Sequence, residues 1–166
     1  MTTITLNGSP LQTTGSLPQI GVHAPDFTVT KTDLGEIHLK DYVGKKIILN
    51  IFPSLDTPTC AKAMKQFNVI AQQLPTTLIL CISADLPFAQ KRFCVAEHLD
   101  NVQCVSTFRH PDFGKHYGVT ILDQPLQGLL SRAVVALDET GHVIYTEQVK
   151  EIANEPDYKA LLKAVK

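Results

Sequence analysis

Apolar and polar positions along the chain fall into short, sharply bounded segments. Thr3-Ile4-Thr5-Leu6 runs into Asn7-Gly8 and a second short stretch. Asn-Gly between alternating residues is a strong hairpin signal, because both turn positions need positive φ. Residues 13–25 are rich in Gly, Pro and Thr and read as a connector. Asp26 to Val29 and Ile37 to Leu39 flank Asp33-Leu34-Gly35, which predicts a second hairpin. Ile47-Ile48-Leu49-Asn50-Ile51-Phe52 is a nearly continuous apolar run of the kind found in a strand covered on both faces. Leu78 to Ile82 repeats it, and Val102 to Val105 is a shorter third. Between the first two, Ala63, Met64, Phe67, Ile70, Ala71 and Leu74 recur at helical spacing, so Cys60 to Leu74 is predicted as a helix. Pro87 to Leu99 is a second helical stretch, with Pro87 at a suitable first position.

Strand, helix, strand, helix, strand implies parallel neighbours joined by right-handed crossovers. Arg132 to Leu137 and Val143 to Tyr145 flank Asp138-Glu139-Thr140-Gly141-His142 as an antiparallel hairpin. Pro156 to Val165 closes the chain as a helix with Tyr158, Leu161, Leu162 and Val165 on one face. The expected fold class is α/β: one domain over residues 1–166, a mixed central sheet flanked by helices, with the first hairpin as an addition. No internal repeat or linker divides it.

Composition narrows the function classes. A formal net charge of -1 without a run of one sign argues against a nucleic-acid or anionic-membrane partner. No window approaches the roughly 20 apolar residues of a membrane span. The start, Met-Thr-Thr-Ile-Thr-Leu-Asn-Gly, lacks the features of a secretory signal, so a cytoplasmic protein is expected. The six histidines are scattered without metal-ligand spacing, and neither a metal nor a bound cofactor is expected.

The cysteines carry the chemistry. None of Cys60, Cys81, Cys94 and Cys104 forms a C-x-x-C pair. Cys81 lies in an apolar strand and reads as an inert core thiol, as does Cys104. Cys60 differs, because Pro53-Ser54-Leu55-Asp56-Thr57-Pro58-Thr59-Cys60 follows a predicted strand and opens a predicted helix. N–H groups of a first helical turn lack intrahelical partners, and the helix dipole adds positive potential, so a thiolate is stabilised there. Thr57 is placed to cap the helix, Pro58 fits its first position, and the Thr57 hydroxyl falls near the sulfur. A buried, unreactive Cys60 is the plain alternative.

Pro53, Thr57 and Cys60 match the P-x-x-x-[TS]-x-x-C signature of the peroxiredoxins. The wider Leu55 to Ala61 text, Phe67-Asn68, and the long Cys81-Ile82-Ser83-Ala84-Asp85-Leu86-Pro87-Phe88-Ala89-Gln90-Lys91-Arg92-Phe93-Cys94 stretch resemble the bacterial thiol peroxidases, an atypical 2-Cys subfamily. The resemblance runs through Ser131-Arg132-Ala133-Val134 and implies a thioredoxin-like fold. It implies that Cys60 is the peroxidatic cysteine, which becomes a sulfenic acid, and that Thr57 bonds thiolate and peroxide. Pro53 then shields the pocket from water, Arg132 stabilises the thiolate and polarises the peroxide, and Cys94 resolves the sulfenic acid as a disulfide with Cys60. It further implies hydroperoxide substrates, recycling by thioredoxin, an antioxidant role and a homodimer. From its own residues, Arg132 reads only as a strand-end charge.

Two other classes stay in view. A thioredoxin-like disulfide reductase or isomerase would share the fold, but the missing C-x-x-C counts against it. A binding domain that keeps only the fold is the other, since fold does not dictate function. The apolar stretch Val119 to Leu130 has neither helical nor strand periodicity. It suits a loop lying under a partner subunit and, almost equally, a loop folded onto its own core. Cys60 and Cys94 fall on different predicted helices, whereas a disulfide needs Cα atoms within roughly 4.4–6.8 Å. Pairing them is therefore expected to require local unwinding, chiefly around Cys94.

Overall fold

The computed structural model describes residues 1–166. Strands β1 (Thr3–Leu6) and β2 (Ser9–Gln12) form the first hairpin, with Asn7 and Gly8 at φ 50 and 85 as the turn demands. The second hairpin pairs β3 (Thr28–Lys31) with β4 (Glu36–His38), and Leu34 takes the left-handed turn position at φ 72. After a 3-10 turn over Leu39–Tyr42 come β5 (Lys46–Ile51), α1 (Pro58–Gln73), β6 (Thr77–Ser83), α2 (Pro87–Ala96) and β7 (Gln103–Ser106). The chain continues through α3 (Asp112–His116), β8 (Ala133–Leu137), β9 (Val143–Gln148) and α4 (Tyr158–Val165).

Seven strands form one sheet in the order β4-β3-β7-β6-β5-β8-β9. β5, β6 and β7 are parallel neighbours, as the strand-helix alternation predicts, and β8 and β9 add antiparallel at one edge. Successive side chains of a strand point to opposite faces. Ile47, Leu49 and Ile51 therefore share one face with Leu80, Ile82 and Val135, covered by Phe113 of α3. Ile48, Ile79, Cys81, Cys104 and Val134 share the other, covered by Cys60, Met64 and Phe67 of α1 and by Leu161 of α4. Three of the four cysteines thus lie in the same buried layer, and Cys94 packs against it from α2. No helix is long and apolar enough to cross a membrane.

Three expectations are revised. α2 ends at Ala96, short of Leu99, because His98 adopts the left-handed conformation at φ 54. α3 was not foreseen; five residues, Asp-Phe-Gly-Lys-His, are too few to show a period. The apolar Val119–Leu130 stretch folds largely onto its own chain. Val119 and Leu130 enter the α3-side core, and Ile121 packs with Ile4, Leu11 and Ile152 beneath the N-terminal hairpin.

That hairpin is tied down by one carboxylate. Glu151 accepts hydrogen bonds from the Ala153, Gly8 and Asn7 amides and the Thr5 hydroxyl. These donors, the Ala153 amide foremost, favour the ionised form and pull its pKa down to about 2. The same anchored segment supplies two carbonyls to the site around Cys60.

Candidate active site

β5 delivers the chain into the turn Phe52–Thr57, and α1 begins at Pro58, so Cys60 sits in the first helical turn. Pro53, in that turn, is buried, and Cys60 itself is fully buried. Pro58 occupies the first helical position as expected. Thr57 is the N-cap residue, but the expected capping bond is not made. Its hydroxyl donates to the Ser54 carbonyl at 2.9 Å, closing the turn locally and leaving the first-turn amides without a side-chain cap. The oxygen's lone pairs stay free to accept.

Ser54 and Leu55 are held from a second loop. Asp85, between β6 and α2, accepts from the Ser54 hydroxyl at 2.8 Å, the Leu55 amide at 2.9 Å and the Ser83 hydroxyl at 2.7 Å. The buried Gln90 of α2 donates to Ser83 Oγ and to the Val105 carbonyl. One carboxylate therefore couples the turn before Cys60 to the start of the helix that carries Cys94. Sequence reasoning assigned Asp85 no role. A Ser-x-Asp triplet ahead of a helix-starting proline looks like an ordinary helix entry, and nothing local says that it bonds across to another turn.

Arg132 precedes β8, whose Ala133 pairs with Ile51 at the end of β5. That register brings Arg132 to the end of the sheet where α1 starts. It is no solvated strand-end charge: its exposure is 2%. Nε donates to the Ile152 carbonyl at 2.9 Å and Nη2 to Cys60 Sγ at 3.2 Å, while Nη1 has no partner. At the next residue of the same segment, the Thr59 hydroxyl donates to the Ala153 carbonyl at 3.0 Å. The Glu151-anchored segment thus clamps the arginine and the first turn of α1 together.

The remaining cysteines divide differently from expectation. Cys81 is a fully buried thiol, and burial pushes its pKa up to about 12 against the weaker opposing effect of a bond from Asn50. That makes it unreactive. Cys104 is not a free core thiol: it forms a disulfide with Cys94. Cys60 is a free thiol here and is not bonded to Cys94, a pairing expected only after peroxide attack and local unwinding around Cys94. The physical reason lies in the sheet. β7 runs next to α2, and Cys104 points to the face that α2 covers, so it is the sulfur within reach of Cys94. Their Cα atoms stand 7.6 Å apart, wider than the usual roughly 4.4–6.8 Å.

Comparison with known proteins decides the family. The Redoxin family profile matches residues 19–162. The chain belongs to the Redoxin family. It is 52% identical over 165 residues, 99% of each chain, to the thiol peroxidases of Mycobacterium tuberculosis and Mycobacterium bovis. A peroxiredoxin-like protein from Aquifex aeolicus superposes with a TM-score of 0.91 at 38% identity, covering 97% of this chain and 94% of that one. A thiol peroxidase from Chromobacterium violaceum, at 23% identity, gives the same TM-score over 97% and 93% of the two chains and supports the fold. This Redoxin chain is an enzyme of the thiol peroxidase kind, with the thioredoxin-like architecture expected from the sequence.

Proposed function

We propose that the chain works as one domain that reduces hydrogen peroxide and organic hydroperoxides, with Cys60 as nucleophile and Cys94 as resolving cysteine. One observation carries this reading: the buried Arg132 guanidinium donates to Cys60 Sγ and keeps Nη1 free beside it. A buried cation needs an anionic partner, and no carboxylate pairs with Arg132, so a Cys60 thiolate is the natural counter-ion. Nη1 and the Thr57 oxygen are then the groups available to a peroxide: the first donates to an oxygen, the second accepts a proton-bearing one. Pro53, buried in the turn, excludes water from that space.

The thiolate attacks one peroxide oxygen in line. The O–O bond breaks, and the leaving oxygen departs with a proton as water or an alcohol. Donors aimed at the developing charge stabilise the transition state. The Cys60 sulfenic acid then condenses with the Cys94 thiol, losing water and forming a disulfide. An external dithiol, thioredoxin in this reading, reduces the enzyme again. The exposed Leu86, Phe88 and Val95 around α2 offer it an apolar landing surface beside Cys94. A homodimer rests on the family resemblance alone, because Val119–Leu130 is largely used internally. The test is peroxide consumption coupled to thioredoxin, thioredoxin reductase and NADPH. Turnover is expected with wild type, and the reading fails if Cys60→Ser turns over equally.

A further inference from the structure

We propose that Cys104 is a second resolving thiol, which takes Cys94 over from the Cys60–Cys94 disulfide and so returns Cys60 to its reactive form while the enzyme still carries an oxidised pair. The proposal rests on the reading of Cys60 as nucleophile and Cys94 as first resolving cysteine. Three observations lead to it. The structure places Cys104 in bonding contact with Cys94, while Cys60 is a free thiol bonded to Arg132. Cys60 and Cys104 belong to the same buried layer and Cys94 packs against it, so all three lie on one face of the sheet. Finally, the two paired cysteines line an open cavity of about 290 Å³, together with Thr32, Lys91, Asp100 and Gln103, whereas Cys60 is fully buried.

The step is a thiol–disulfide exchange. Cys104 gives up its proton to solvent at the cavity it lines. Its sulfur attacks Sγ of Cys94. A Cys94–Cys104 bond forms, the Cys60–Cys94 bond breaks, and the electron pair leaves on Cys60, whose negative charge Arg132 receives. No further oxidant or reductant is consumed. Cys81 neighbours Cys104 in register on β6, but its sealed, protonated thiol is a poor competitor.

The disulfide offered to the reductant lies at an open cavity on α2, and Cys60 is free to meet a second peroxide before any reductant arrives. A reductant-free titration tests both. Fully reduced wild-type protein is given one equivalent of hydrogen peroxide, quenched in acid, alkylated and mapped by mass spectrometry. The expected bond is Cys94–Cys104 with Cys60 alkylated. A second equivalent should then be consumed, and dimedone should label Cys60. Cys104→Ser and Cys104→Ala should stop after one equivalent, with a Cys60–Cys94 bond and no dimedone adduct. The proposal is overturned if wild type also stops at one equivalent with Cys60–Cys94 mapped and Cys104 alkylated, a result that needs no variant to fold. Failure of the underlying reading looks different: Cys60→Ser would still consume peroxide or still form Cys94–Cys104 in its presence.

Discussion

α1 and α2 carry the two cysteines of the proposed cycle and are held in opposite ways. α1 runs for 16 residues and buries Cys60, Ala63, Met64, Phe67, Ile70 and Ala71, so its first turn is fixed by a continuous apolar stripe. α2 runs for 10 residues and buries only Pro87 and Gln90, both in its first half. Past Gln90, α2 is held by the half-buried Phe93 and Cys94 and by the bond from Cys94 to Cys104, so reducing that bond leaves its second half with little fully buried surface. Local stability follows buried apolar contact, so α2 is the element that opens at low cost. A nucleophile must keep its geometry towards Arg132, whereas a resolving thiol must travel to it. The division of labour between the two helices is thus already present in how much surface each one buries.

The strongest way to break this comparison is to remove the travelling partner. Cys94→Ser should consume its first equivalent of peroxide at the wild-type rate and then lose thioredoxin-dependent turnover almost entirely, because the Cys60 sulfenic acid has no partner. Full turnover in that variant, measured by NADPH oxidation, would show that Cys94 has no part in the cycle. Altering the fixed side comes next. Arg132→Lys keeps a charge but not the planar fork that reaches Ile152 and Cys60 at once, and peroxide attack should slow by roughly 10²-fold. Stopped-flow measurement of the first turnover checks it, and alkylation of Cys60 at neutral pH should slow in parallel.

The link between the regions should matter less. Asp85→Asn exchanges an acceptor of three bonds for a group that can satisfy only part of them, and should lower stability by roughly 1–3 kcal/mol. Because the turn before Cys60 loses its anchor, peroxide attack should also slow by on the order of 10-fold. A variant that loses stability in urea but attacks peroxide at the full rate would remove Asp85 from the positioning of the site.

Smallest is the effect at the hairpin. Glu151 has its pKa depressed from 4.5 to about 2, so its contribution is present above pH 4.5 and lost as pH falls towards about 2. Glu151→Gln should remove that acid-dependent component. Urea midpoints between pH 6 and pH 3 should then fall less steeply in the variant than in wild type, and parallel slopes would contradict the assignment.

Much of this was legible in the chain itself. The five strands and three longer helices after residue 46 announce themselves by period, and Asn7-Gly8 announces its hairpin. The P-x-x-x-T-x-x-C segment is local, so its place at a strand-to-helix turn could be read directly. What could not be read depends on which distant residues face each other. Arg132 looks like any strand-end charge until the β5–β8 register carries it to the first turn of α1. Asp85 reveals its role only once β6 places it under Ser54. Cys104 sits in an apolar run like that of Cys81, and only the packing of α2 over β7 gives one a partner and leaves the other sealed. Thr57 shows the converse: the capping pattern was legible, but a carbonyl three residues back captured its hydroxyl.

The central claim is that peroxide is met at Cys60, in the fixed helix, before any other sulfur takes part. Reduced Cys94→Ser protein treated with one equivalent of hydrogen peroxide and dimedone, then digested and mapped by mass spectrometry, tests it most directly. The account predicts a single adduct, on Cys60, approaching one per chain, with Cys81 and Cys104 unmodified. An adduct on Cys104 or Cys81, or peroxide consumed with Cys60 still a free thiol, would contradict it.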